Sequence, residues 1–490
     1  MDLTPAIQEN PDRTRHVLAG LAALLSGTLA GIGLLEIGPV KTLALLGAAG
    51  VGVAFLRSVW VSFAALIAVV CLLPYAVVPV STPAGTPAFI ELVIFASLVI
   101  VAAVVLCDRR LGIPVGVAQS LWLGLIGMVG FAFLLGVGRG YTPQTLHDFG
   151  KFLLALGCFA LVLVLVRHFR DAALVVRLLL VGTMAAAGLS LVLYAGGPGI
   201  TERVLVRLVP YGYPGSRIVR YIEDDPGRPM RAVGTSVDPN SFGGLLMVGF
   251  VLSAGQLLGR SPVVSRWLSG PAVALCGMAM LLTYSRGAWV GAVAGLGVIL
   301  IMRRRAWLPA LGALGVATVA LGAGAEFVDR LWQGFTLQDP ATQLRLQEYQ
   351  NALEIIRRHP WFGVGFGDAG SIDLQEGVSS IYLTIAEQSG LVGLAVFLVA
   401  AGTIGWMGVR GVFATKSGTH SDLLLTAVAA LVAMLTVGLV DHYFFNIRFP
   451  HMAALFWIVA GLIVAMERLA RHDRTDEYGD MKGRTVGEGS

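Results

Sequence analysis

The sequence predicts an all-α protein, a polytopic transmembrane helical bundle of about 12–14 spans. Three observations predict it. Of 490 residues, 56% are hydrophobic and only 13% are charged, against about 25% charged in an ordinary soluble domain. The mean hydropathy is +0.78. The apolar residues come in blocks of roughly 20, the length a helix needs to cross the hydrocarbon core at about 1.5 Å per residue. In lipid each block must satisfy its own backbone hydrogen bonds, so each is expected to be a helix.

The blocks fall at residues 17–37, 39–56, 59–80, 88–107, 114–138, 148–166, 171–195, 239–259, 269–285, 287–302, 306–325, 380–409, 421–441 and 449–467. The second, ninth and tenth are short, and two of them forming one re-entrant pair would bring fourteen down to twelve. The polar stretch from Met1 to His16 lacks the short apolar core and cleavage site of a secretory signal, so the first span is expected to stay in place.

The short turns alternate in charge. Arg57, Arg109, Arg110, Arg167, Arg170, Arg260, Arg266, Arg303, Arg304, Arg305, Arg410 and Lys416 share one side, while the turns at 81–87 and 442–448 on the other are nearly free of basic residues. The positive-inside rule then puts both termini in the cytoplasm, for a multi-pass protein of the plasma (inner) membrane. Two long extracytoplasmic loops with short helices result. The expected division is 1–195 N-terminal spans, 196–238 an arginine-rich loop, 239–325 central spans, 326–379 a second loop, 380–467 C-terminal spans and 468–490 a basic cytoplasmic tail.

Composition also excludes classes of function. The net charge of +5 reflects cytoplasmic Lys and Arg rather than nucleic-acid binding. Cys71, Cys107, Cys158 and Cys276 lie in or beside apolar blocks and read as buried thiols, not a disulfide framework. No His-x-x-x-His, helical Glu–His pair or Asp-x-Asp on an outer loop suggests a metal, and no cofactor is expected. There is no P-loop, and no soluble domain large enough for a nucleotide sugar.

Three stretches stand apart from the spans. The first runs from Arg231 through Asp238-Pro239-Asn240 to Gly243. Asp or Asn caps orphan amides and Pro suits the first helical turn, so a helix begins there; beside Arg231 its N-terminus can hold an anion. The second is Thr283-Tyr284-Ser285-Arg286-Gly287-Ala288-Trp289, between two spans, with Arg286 at the membrane boundary. A charge at that depth marks a functional site by default, or snorkels to the interface. The third runs from Arg345 to Gly367. Leu346, Tyr349, Ala352, Leu353 and Ile356 recur at helical spacing, predicting an amphipathic helix over 343–358 that Pro360 ends. Gly363, Gly365 and Gly367 are expected to form a flexible turn. The loop before the first stretch carries Arg203, Arg207, Arg217, Arg220 and Arg228, which reads either as an interfacial helix with snorkelling stems or as a cationic surface for phosphate.

These stretches, in this order, resemble the O-antigen ligase and O-antigen polymerase family of bacterial membrane glycosyltransferases. The resemblance rests on Arg231 with Gly234, Asp238-Pro239-Asn240 and Phe242; on Tyr284-Ser285-Arg286-Gly287; on Arg345-Leu346 with Pro360 and Gly363-Val364-Gly365; and on Tyr382-Leu383 with Glu387 and Gly390-Leu391-Val392-Gly393. It covers roughly 230–400, and Asp441-His442-Tyr443-Phe444-Phe445-Asn446 fits the family's closing turn. It implies a metal-independent, inverting enzyme that moves a glycan from an undecaprenyl-diphosphate-linked donor to a lipid-linked or surface acceptor. By the same resemblance Arg286, then Arg231 and Arg345, would hold the diphosphate, with Asn240, Tyr284 and Arg220 beside them.

One departure matters. The ligases carry a His-Asn pair where this chain has Ser379 and Ser380. A serine hydroxyl has no pKa near 7 with which to act as base, which favours a polymerase-type enzyme over a ligase. The candidate bases are Glu348, His442 and Asp238, with Glu387 and His359 also expected near the outer face. Diphosphate is a good leaving group once neutralised, so positioning and electrostatics could also supply most of the rate. Two rival readings stand beside this one: a transporter or flippase of an anionic or lipid-linked solute, which would need polar groups near mid-membrane, and a family member without catalysis.

Overall fold

The computed structural model of this chain describes residues 57–78, 86–107, 116–137, 141–309, 340–366, 378–415 and 418–487, with Gly312 and isolated positions between 47 and 55. Two compact units divide between Ser62 and Phe63, and the second holds every candidate site residue. Among the described residues the regular elements are helices, and pairing of extended backbone is confined to the bridges Val77–Ala88 and Tyr221–Met230.

The helices are α1 (Val59–Leu72), α2 (Phe89–Cys107), α3 (Val117–Leu135), α4 (Pro143–Leu165), α5 (Phe169–Leu205), α6 (Pro239–Leu258), α7 (Arg266–Leu282), α8 (Arg286–Arg303), α9 (Pro340–Arg358), α10 (Ile381–Ala414), α11 (Gly418–Val437) and α12 (Pro450–Gly487). Nine helices among the described residues are long and apolar enough to cross a membrane, and α1 and α7 are shorter apolar helices. The expected spans at 17–37, 39–56 and 306–325 lie outside the described residues, apart from isolated positions.

Burial follows from which helices are surrounded by protein. α6, α11 and α12 form the centre, with Leu245, Leu246, Leu424, Leu431, Leu455 and Ile458 fully buried. α2 and α3 leave Phe95, Leu106, Leu123 and Leu134 exposed, and a helix this apolar on its outward face belongs against lipid. α8 approaches α11 backbone to backbone. A Cβ on Gly291 or Gly295 would lie 2.9 Å from the Ala433 carbonyl oxygen or 3.0 Å from that of Ala429, the close contact that small residues four apart permit in membranes.

The turns sort into two ends. At the basic end, Arg303 Nε is 2.6 Å from Asp422 Oδ1 and its Nη2 donates to Ser421 Oγ at 2.5 Å, while Asp422 Oδ2 accepts the Ser261 amide at 2.7 Å. Arg468 donates to the Val166 carbonyl at 2.8 Å and Arg177 to that of Val263 at 3.0 Å. Arg177 thus reaches a turn rather than ending inside the bundle. Asp422 is buried, so Asp422→Ala would strand the Arg303 guanidinium and the Ser261 amide. We expect that change to cost about 3–5 kcal/mol, read as a lower melting temperature of the detergent-solubilised protein; unchanged melting would count against the pairing.

Two elements run further than the sequence suggests. The loop expected from residue 196 begins as helix: α5 passes through a break at Gly197 (φ 76) and Pro198 and continues to Leu205. Thr201 Oγ1 donates to the Leu193 carbonyl at 2.8 Å and mends the break. The tail expected from residue 468 continues α12 to Gly487.

Candidate functional site

At the other end, two helices start side by side. Asp238 caps α6, its Oδ2 accepting the Ser241 amide at 2.6 Å, with Pro239 at the first turn. Ser285 precedes α8, and its amide donates to Thr283 Oγ1 at 3.2 Å. Val237 (φ 62) and Tyr284 (φ 53) both take left-handed backbone just before these starts, a costly conformation for branched or bulky residues and one that clusters at functional sites. Gly243 lets the two starts touch, since a Cβ there would lie 2.9 Å from Ser285 Cβ and 3.0 Å from Thr283 Oγ1. The partial positive charge of both N-termini therefore falls in one place.

Arg231 clasps the two starts together. Its Nε donates to the Thr283 carbonyl at 2.7 Å and its Nη2 to Asn240 Oδ1 at 2.7 Å, while the Ala232 amide donates to the Leu282 carbonyl at 2.8 Å. Arg286, half-buried, is the first residue of α8. Arg231, Asn240, Tyr284 and Arg286, separate in sequence, thus share one junction. A lysine cannot reproduce the two-armed contact. Arg231→Lys is expected to loosen the junction by roughly 1.5–3 kcal/mol, checked by thermal melting against wild type.

A second group adjoins the first. A Cβ on Gly287 would meet Val440 at 3.2 Å, so the turn after α11 lies beside the start of α8. That turn holds Asp441, which is buried. Arg345 Nη2 from α9 is 3.8 Å from Asp441 Oδ2, and His442 Nδ1 is 3.7 Å from Asp441 Oδ1. Burial pushes the Asp441 carboxyl above its usual range; His442 and Arg345 oppose that, and Asp238 adds to it. A Cβ on Gly244 of α6 would drive into the Tyr443 ring, so the same turn also lies against the start of α6, which joins the two groups. Neighbouring Tyr443 is held well above the usual phenol range, first by burial and then by Asp441 and Asp238.

α9 docks here through two polar contacts and buries Ala352, while Leu346 and Leu353 of its expected apolar face stay exposed. Glu348 is buried and its Oε2 accepts the Ser379 amide at 3.0 Å; the Tyr349 hydroxyl donates to the Ser379 carbonyl at 2.9 Å. Ser380 Oγ donates to the Gly438 carbonyl at 3.1 Å, and the Ile381 amide to the same oxygen at 2.9 Å. Ser379 and Ser380 are therefore fastened to both α9 and the turn that carries Asp441 and His442.

The glycine turn after α9 corrects the expectation of flexibility. α10 breaks at Gly390 (φ 70), and the segment 360–365 lies in the break. The Val364 amide donates to the Glu387 carbonyl at 2.8 Å, Gly365 to Gln388 at 2.9 Å and Leu391 to Pro360 at 2.7 Å. A Cβ on Gly365 would lie 2.6 Å from the Ala132 carbonyl oxygen. The glycines allow backbones to meet, and the turn is pinned on several sides. Gly367 lies outside the described residues.

Arg220 departs from the expected cluster. Its side chain pairs with Asp224 at 3.5 Å, in a small hairpin closed by Tyr221 and Met230, and only its carbonyl, accepting the Arg231 amide at 2.8 Å, touches the junction. Arg228 pairs with Glu223 at 2.5 Å and Arg203 donates to the Gly199 carbonyl at 3.0 Å. The loop arginines are thus largely absorbed locally. The role of Asp441 as a hub between α9, α11 and Asp238 is weakly marked in sequence, by an acidic residue closing an apolar block. Tyr75 was not singled out. It is held well above the usual phenol range, first by burial and then by Asp238, and its ring lies 5.2 Å from that of His451; only its place after Pro74 in a turn signals it. Among the described residues no group of three or more His, Cys, Asp or Glu side chains could hold a metal ion.

Comparison with known proteins places this site in context. No curated protein matches the chain in sequence. A chain of a solved structure titled "Structural coordination of polymerization and crosslinking by a peptidoglycan synthase complex" aligns at 19% identity over 71% of this chain and 97% of its own, with a TM-score of 0.37; a likeness that loose does not establish a common fold. A family model described as O-Antigen ligase matches residues 271–398, a stretch that takes in Tyr284, Arg286, Arg345, Glu348 and the α9–α10 junction. The chain is a polytopic all-α membrane protein whose residues 271–398 are similar to the O-antigen ligase family.

Proposed function

We propose that this chain is a membrane glycosyltransferase that moves a glycan from an undecaprenyl-diphosphate-linked donor to a lipid-linked or surface acceptor, of polymerase rather than ligase type. The observation that carries the reading is the meeting of two helix N-termini, at Asp238 and Ser285, with Arg231 across them and Arg286 on one of them. Backbone amides, aligned dipoles and guanidinium groups together suit a diphosphate. Arg286 and Arg345 supply charge to the leaving group, Arg231 and Asn240 hold the junction in shape, and Tyr284 sets its backbone; Arg220 supports it through its carbonyl. The candidate proton acceptors are Glu348, His442 and Asp238. The substrates bring the leaving group with them, and the reaction as proposed is inverting and needs no metal.

Orientation belongs to the same proposal. The basic end, with Arg177, Arg266, Arg303, Arg304 and Arg468, faces the cytoplasm of a plasma (inner) membrane, with both termini there, and the site lies outside. The division of the chain into loops and three groups of spans keeps the donor's glycan in water and its lipid in the bilayer. A transporter would place polar groups at mid-membrane; Arg177, inside an expected span, is tied instead to the turn at Val263.

Reconstitution in vesicles with an undecaprenyl-diphosphate-linked oligosaccharide as both donor and acceptor tests the proposal. A ladder of lengthened lipid-linked glycans is expected. Movement of the intact donor between leaflets without new glycosidic bonds would overturn it in favour of transport.

A further inference from the structure

Resting on the transferase reading, we propose that His442 is the catalytic base, taking the proton of the acceptor hydroxyl, and that Asp441 is the residue that positions it. The three candidate bases are engaged very differently. Asp238 spends Oδ2 on the cap of α6, and its carbonyl accepts the Phe242 amide at 3.1 Å. Glu348 is buried and accepts the Ser379 amide. His442 has neither kind of commitment. Its ring keeps 12% of its exposure, and its Nδ1 is a buried atom with no hydrogen bond.

Nδ1 faces Asp441 Oδ1 at 3.7 Å, and the same oxygen accepts the His442 amide at 2.9 Å. The backbone bond fixes the carboxylate beside the ring. The remaining distance is longer than a hydrogen bond, and such contacts tighten when substrate binds. Phe449 packs edge-on at 5.9 Å and limits the tilt of the ring. The charged and titratable groups around the pair are Asp441 itself, Arg345 and Tyr349 on α9, with Glu348 beside them, Asp238 at the start of α6 and Tyr443 next in the chain. With Nδ1 turned to Asp441, Nε2 is the nitrogen left for the acceptor. A carboxylate holding an imidazole in one tautomer and stabilising its charged form is a recurring arrangement.

The step balances without a further reactant. The acceptor oxygen bonds to the anomeric carbon of the donor sugar. The bond from that carbon to the diphosphate oxygen breaks, and its electron pair leaves on the diphosphate. The hydroxyl proton passes to His442 and then to water.

The test uses the full chain in vesicles with the lipid-linked oligosaccharide above. His442→Gln and His442→Ala are expected to keep donor affinity within about threefold while kcat falls about 10²–10⁴-fold, the usual range for losing a general base. A loss of rate at low pH is expected in wild type and should be absent from His442→Gln, and added imidazole should partly restore His442→Ala. Asp441→Asn should lower kcat with donor affinity kept. Wild-type kcat and pH profile in His442→Gln would overturn the assignment and leave the transferase reading standing. A wild-type chain that transfers no glycan would remove both. Should His442→Ala fold poorly, His442→Gln carries the decision through the same readouts.

Discussion

Arg286→Ala is expected to abolish glycan transfer while the protein still inserts and folds. Arg286 opens α8, half-buried, where the chain turns through left-handed Tyr284 and the amides of the first turn point out of the helix. Charge developing on a departing diphosphate would meet a guanidinium and two helix N-termini in a site partly closed to water. Removing one such pre-placed donor costs about 10²–10³ in kcat in comparable electrostatic sites. Arg286→Lys keeps the charge and loses the planar fork, so it should be impaired as well. The measurement is the ladder of lengthened glycans in reconstituted vesicles, beside the melting temperature of each variant. A full ladder from Arg286→Ala would remove this residue from the site.

The second large effect lies away from any charge. Gly390→Ala should unseat α9 from α10. Gly390 has φ 70, where an alanine is strained by roughly 1–2 kcal/mol. A Cβ there would also drive into the Trp361 carbonyl and the Phe362 amide nitrogen, which are backbone and cannot swing aside. The Leu391–Pro360 and Val364–Glu387 hydrogen bonds then lengthen or break. A total of about 3 kcal/mol or more is expected from strain and lost backbone bonds together. Gly402→Ala, on the same helix with nothing within 4 Å of its new Cβ, is the control; helix propensity alone predicts no loss there. Equal melting temperatures for the two variants would refute the interlock. If the interlock holds, Gly390→Ala should also lose transfer, because α9 brings Arg345 to Asp441.

How much of this was readable in advance depended on how local the signal is. The spans, the helix over 343–358 and the starts at Asp238 and Arg286 follow from patterns within one or two turns, and among the described residues the structure agrees with them to within a few residues, except that α1 ends early at Leu72 and α5 and α12 run on to Leu205 and Gly487. The glycines at 363 and 365 were visible, yet their purpose was misread. A glycine that frees a turn and one that admits a neighbouring backbone look identical in sequence, and only Glu387, Gln388 and Ala132 in place reveal the second. Arg220 looked like Arg231 on paper. Its partner Asp224, four residues on, absorbed it once the hairpin closed.

The sequence by itself determined that this is a helical membrane protein and which segments carry polar chemistry, because burying a backbone in lipid leaves a chain with long apolar blocks little other choice. It also marked the helix starts, whose caps lie within three residues of what they satisfy. Tertiary structure alone decided that Arg231 spans Thr283 and Asn240, that Arg345 meets Asp441 and that Ser379 is held by Glu348. Those partners come from helices far apart in the chain, and close packing of α6, α8, α9 and α11 at one end of the bundle brings them within reach.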